Sequence, residues 1–138
     1  MRMRAAEAFF DTSVILYLLS HDEAKADRVE VLLPRKGIIS VRVLNEIASV
    51  ALRKHALSFI ELRNFLSAAR EFCAEIPVTI ETHELGLKIA ERYGFGLYDS
   101  MNVASALVSG CRVLYSEDLQ DGQLIEKSLK VVNPFKMK

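Results

Sequence analysis

Five short runs of β-forming residues divide this chain, and none alternates cleanly between apolar and polar: EAFF (7–10), GIISV (37–41), PVTI (77–80), RVLYS (112–116) and KVVN (130–133). Compact runs without a two-residue period are what strands covered on both faces require. The segments between them carry helical signals. Ser20 followed by Glu23 reads as a capping box opening a helix toward Leu33. Leu44, Ile47, Ala48, Ala51 and Leu52 fall on one amphipathic stripe. Ser58 with Glu61 makes a second capping box, for a helix reaching about Glu75, and Thr82 is expected to cap a helix ending near Tyr93 with Gly94 as its stop. Ser100 to Val108 is apolar almost all round, as a buried helix would be, and ends at Gly110. Strands alternating with helices predict a three-layer α/β fold, a central parallel sheet flanked by helices. With no repeat, linker or low-complexity tract, residues 1–138 read as one domain.

Composition narrows the class. About half of the 138 residues are hydrophobic (51%), enough for a sizeable core and too many for disorder. No apolar stretch is long enough to span a bilayer, and MRMRAAEAFF runs straight into Asp11, a poor export leader; a cytoplasmic protein without membrane association is expected. Cys73 and Cys111 stand singly in apolar contexts and read as reduced core residues. With His21, His55 and His83 they show no paired ligand spacing, which argues against structural zinc. Eighteen basic residues balance eighteen acidic ones, excluding a strongly basic nucleic-acid coat but not a local patch.

The chemistry concentrates in acids. FFDTSVILYLL (9–19) is a hydrophobic run interrupted by one carboxylate, Asp11, and an unpaired buried charge costs several kcal/mol. In open α/β sheets ligands gather beyond the carboxyl ends of the strands. Asp11 follows the first run and Asp118, within SEDLQDG, follows RVLYS, so both belong at that edge. Asp99, at the start of the buried helix, fits there too; Glu46, one to two turns into the helix after the second run, is less constrained. Two carboxylates about 4 Å apart repel by roughly 4 kcal/mol at an effective dielectric near 20. A cluster of four therefore calls for protons or a cation, and oxygen-only donors suit Mg²⁺ or Mn²⁺. Such an ion would explain Asp11, and an activated water could attack a phosphate. Each acid also has a plainer role: Asp11 and Asp99 as helix N-caps, Asp118 as a turn residue with Glu117 or Asp121 as the alternative ligand, and Glu46 in an exposed ion-pair face with Arg42 and Arg53.

Taken together, FFDTSV, VLNEIASVALRK, YDSMNVASAL and LYSEDLQDG, in that order, resemble the PIN-domain nucleases, above all the VapC-type ribonuclease toxins of toxin–antitoxin modules. The resemblance extends over essentially the whole chain, to the terminal LKVVNPF. It implies a Mg²⁺- or Mn²⁺-dependent endoribonuclease with an acidic quartet of Asp11, Glu46, Asp99 and Asp118, the three aspartates as metal ligands. It further implies a supporting hydroxyl from Ser13 or Ser116 near the metal, and RNA phosphate contacts for Arg42 and Arg53 if Glu46 looks into the site. Beside it, Asn102, one turn beyond Asp99, is read as orienting that acid or satisfying a backbone group, and Asp121 as a supporting carboxylate. Ser116 stands where many relatives carry threonine, and Glu117 and Asp121 crowd that corner. The partners implied are RNA and a cognate antitoxin, whose arginine could enter the acidic pocket. A homodimer is also expected, with Phe59 to Phe72 serving as a dimer face or as an ordinary core-facing helix. Phe95 and Tyr98 flank Asp99, where they could stack on a base or pack the core. A PIN nuclease of RNA processing, or a non-catalytic scaffold binding RNA or protein, is the alternative. A receiver-like domain fits poorly, since FFDTS has one acid and PVTIET no aspartate.

Overall fold

The computed structural model describes residues 8–34 and 37–136. Glu7, the start of the first expected strand, and residues 1–6, on which the export-leader reading partly rested, lie outside the described residues. Strand β1 (Ala8–Phe10) leads into a short helix α1 (Thr12–Ile15) continued by a 3-10 turn to Leu19, then α2 (Glu23–Leu32) and β2 (Gly37–Ser40). Helices α3 (Val41–Lys54) and α4 (Phe59–Phe72) follow, with β3 (Cys73–Ile76), α5 (Ile80–Tyr93), α6 (Leu97–Val108) and β4 (Val113–Tyr115). A small hairpin, β5 (Leu124–Ile125) and β6 (Leu129–Val132), completes the order.

The strands form one sheet in the order β3-β2-β1-β4-β6-β5, flanked by helices. Every pairing is parallel except that of β5 with β6. All residues of β1 and β2 are buried, as their unbroken apolar runs require. Phe9, Phe10, Ile39, Ile47 and Leu114 are fully buried in the core. The Phe10 ring lies over Gly37, where an added Cβ would come within 2.8 Å of it. From β1 the chain goes outward to β2 and β3, then returns to the other side of β1 as β4. That reversal opens a crevice beyond the carboxyl ends of β1 and β4, where open α/β sheets bind ligands.

Four local expectations need correction. PVTI is not a strand: β3 is Cys73–Ile76, directly after α4, which therefore ends at Phe72 and not near Glu75. Pro77 cannot donate to the ladder and follows the last strand residue. Thr79, not Thr82, caps α5, accepting the Thr82 amide at 3.2 Å, so Ile80 starts the helix and Thr82 is buried within it. Asp22 caps α2 through the Lys25 amide, while the Ser20 hydroxyl accepts the Asp22 amide one step earlier. Finally, α6 starts at Leu97 behind Gly96, so Asp99 lies in its first turn and is not its cap. The Ser58–Glu61 capping box and the left-handed Gly94 stop are both present.

Candidate active site

Asp11 is 5% exposed and sits at the crevice because β1 ends one residue before it, its amide held by the Tyr115 carbonyl of β4 at 3.0 Å. One carboxylate oxygen accepts from the Thr12 amide (2.9 Å), capping α1, and from Asn102 Nδ2 (2.5 Å). The other accepts from the hydroxyls of Ser13 (2.9 Å) and Ser116 (3.1 Å). Cap and cluster member are thus one residue. Burial pushes its pKa up to about 6; the Ser13 hydrogen bond opposes this, and the charges of Asp118 and Asp99 add to it.

Asp99 reaches the same point from the first turn of α6, and Asp118 from the loop after β4. One carboxylate oxygen from each of Asp11, Asp99 and Asp118 lies within 4.8 Å of the others. Desolvation raises the pKa of Asp99, helped by Asp118 and Glu46, while Arg42 works against the shift. Desolvation also raises Asp118, with Glu117 and Glu46 adding to it. The three acids hold more negative charge than the protein around them compensates.

Glu46 lines the same cleft, of about 200 Å³, from α3. It accepts from Thr12 Oγ1 at 2.7 Å and pairs with Arg42 at 2.8 Å, so it is a cleft residue and an ion-pair partner together. Arg42 also lies 4.2 Å from the centre of the Tyr98 ring. The remaining expected residues separate. Ser13, Ser116 and Asn102 all donate to Asp11, so Asn102 orients this acid and not Asp99 as expected. Asp121 does not join the cluster: its carboxylate accepts the Asn133 amide at 2.8 Å, fastening the segment after β6. Arg53 does not line the cleft; its Nε reaches Ser49 at 3.3 Å on the exposed face of α3.

Two features escaped the sequence reading. Thr12 orients Glu46, and its place beside Asp11 was the signal for it. Glu117 is drawn away from the acids by Lys25 (2.7 Å) and the Tyr17 hydroxyl (2.7 Å), and Lys25 lies over the rings of Tyr17 and Phe135. Partial burial raises the Glu117 pKa, but these hydrogen bonds outweigh it and hold the carboxyl below its usual range. No local pattern links residues 92 and 100 positions apart.

The PIN-domain sequence profile matches residues 8–121. The chain belongs to the PIN-domain family. Solved structures agree in fold. A toxin–antitoxin complex from Klebsiella pneumoniae is 20% identical, covering 94% of this chain and 99% of that one, with a TM-score of 0.72. Mycobacterium tuberculosis VapC20, a sarcin–ricin-loop-cleaving toxin, is 20% identical over 80% of this chain and 89% of its own, with a TM-score of 0.62. FitAcB from Neisseria gonorrhoeae is 17% identical over 94% and 99%, with a TM-score of 0.69. No curated protein matches the chain. On this PIN fold the three aspartates fit a divalent cation: the donors are hard oxygens, they converge, and their pKa values are raised first by burial and then by neighbouring negative charge, both of which a bound cation would offset.

Proposed function

We propose that this PIN domain is a Mg²⁺- or Mn²⁺-dependent endoribonuclease of the VapC type, the toxin of a module in which a cognate antitoxin restrains it. The observation that carries the reading is the convergence of Asp11, Asp99 and Asp118 oxygens within 4.8 Å at the sheet's carboxyl edge. These three residues would hold the ion. When bound, it supplies Lewis-acid polarisation of a phosphodiester and makes a water more acidic. The chain's own residues do the rest. Asn102, Ser13 and Ser116 fix the Asp11 carboxylate, so its lone pairs are aimed before any ligand arrives. The bonds from Thr12 and Arg42 both fall on Glu46 Oε1, which leaves Oε2 able to take a proton from an attacking water. The likeness to toxin–antitoxin complexes supports an antitoxin partner, as does an apolar groove of about 380 Å³ bordered by Leu18, Leu33, Phe65 and Phe72. Exposed Phe59 and Ile60 on α4 support association with a second copy. Among the described residues no helix is long and apolar enough to cross a membrane.

The test is cleavage of a mixed panel of structured and single-stranded RNAs by purified protein, with Mg²⁺, Mn²⁺ or EDTA, beside Asp99→Asn. The reading predicts metal-dependent cutting that falls by about 100-fold or more in the variant. Equal cutting by both proteins, or persistence in EDTA, would overturn it.

A further inference from the structure

Two aromatic residues flank Asp99, and the fold treats them oppositely. Phe95 is half-buried against the core, its ring parallel to that of Tyr93 (centroids 5.4 Å apart, 11° between planes), so both are occupied in packing. Tyr98 is 65% exposed and lines the cleft that holds Asp11, Asp99 and Asp118. One face of its ring is covered by the Arg42 guanidinium at 4.2 Å. Arg42 is itself only 17% exposed and tied to Glu46, which Thr12 holds in turn. A ring with one face covered and two-thirds of its surface still accessible has its other face open.

We propose that Tyr98, braced from behind by Arg42, is the platform on which one unpaired base of the RNA stacks beside the scissile phosphate. This rests on the nuclease reading and narrows its substrate to RNA that is single-stranded at the cut. Every base offers a π-face, so an aromatic platform holds bases without reading their edges. A base inside a duplex is already stacked on its neighbours and cannot reach the ring without leaving them. The brace removes the ordering cost: the chain Thr12–Glu46–Arg42 fixes the ring before substrate arrives, and begins at the residue after Asp11. It also gives Arg42 a different task from the phosphate contact expected of it, because its charge is already spent on Glu46 and the ring.

The experiment takes one RNA that the wild-type protein cuts, as a single strand and annealed to its complement, and measures kcat and KM for wild type, Tyr98→Phe and Tyr98→Ala. Wild type and Tyr98→Phe should behave alike, while Tyr98→Ala raises KM on the single strand by roughly 5- to 100-fold with kcat nearly unchanged. The Mg²⁺-induced rise in melting temperature should be equal in all three, showing that the acids are undisturbed. The duplex should be cut poorly by each. An unchanged KM in Tyr98→Ala, or equal cutting of duplex and single strand, overturns the platform. So does a change of mass by light scattering in Tyr98→Ala at unchanged KM, which would make the ring a protein contact. Those failures leave wild-type cleavage intact. A wild-type protein that cuts no RNA removes the nuclease reading, and the platform with it.

Discussion

Asp11 is held between two opposing effects, four hydrogen bonds that favour its charge and a burial that penalises it, and burial wins. Its folded pKa of about 6 against an ordinary 3.8 means that the folded protein binds this proton more tightly than the unfolded chain. The stabilisation is fully present below about pH 4 and is lost as pH rises through 6, up to about 3 kcal/mol. Metal-free wild type should therefore lose stability relative to Asp11→Asn between pH 4 and pH 7. Urea unfolding of both proteins across that range measures it, and parallel curves would contradict it. Mg²⁺ must displace that proton, so the stabilisation it confers should grow over the same window. Asp11 and Asp118 were legible as one edge because their places follow from strand ends. Glu46 was not, since a wheel position opposite an apolar stripe describes a cleft residue and an exposed ion pair equally well. Asp121 shows the converse: a carboxylate close in sequence to the cluster whose oxygen is used by the Asn133 amide.

The elements nearest the site were also the most readable. Buried on both faces, β1 and β2 carry unbroken apolar runs; β3 lies at the sheet's edge as CAEI, half-exposed and weakly β-forming, beside a β-branched VTI that instead enters α5. Propensity misplaced that strand because β preference largely measures packing, and Ile80 packs against little at 76% exposure. Close packing inside the sheet gives a sharper test. Gly37→Ala would push a methyl to 2.8 Å from the fully buried Phe10 ring and 3.2 Å from Cys73 Sγ, and should cost about 1–3 kcal/mol in urea unfolding. A neutral substitution would mean that the ring can yield. The loop after β4 is fastened to α2 by Lys25 and Glu117, next to Asp118. Lys25→Met removes a positive charge and frees a carboxylate beside the acids, and should lower the Mg²⁺ concentration needed for half-maximal thermal stabilisation several-fold, with Lys25→Arg restoring it. An unchanged Mg²⁺ requirement would make the pair irrelevant to the centre.

At the scale of the whole molecule, the sheet order 3-2-1-4 explains why acids 107 residues apart meet: chain reversal beside β1 opens one crevice, and Asp11 and Asp118 lie on its two sides. The α/β class was legible from alternating runs and helices. The antiparallel β5 was not, because two residues carry no period. Net charge, zero overall, says nothing of an edge where three carboxylates gather. The central claim is that this gathering is a cation site, and calorimetric titration of Mn²⁺ into metal-free protein near pH 7.5 tests it most directly. The account predicts saturable binding by wild type that is lost or weakened at least about 10-fold in Asp99→Asn, a variant that should remain folded. No binding by the wild type, or equal binding by both, would contradict it.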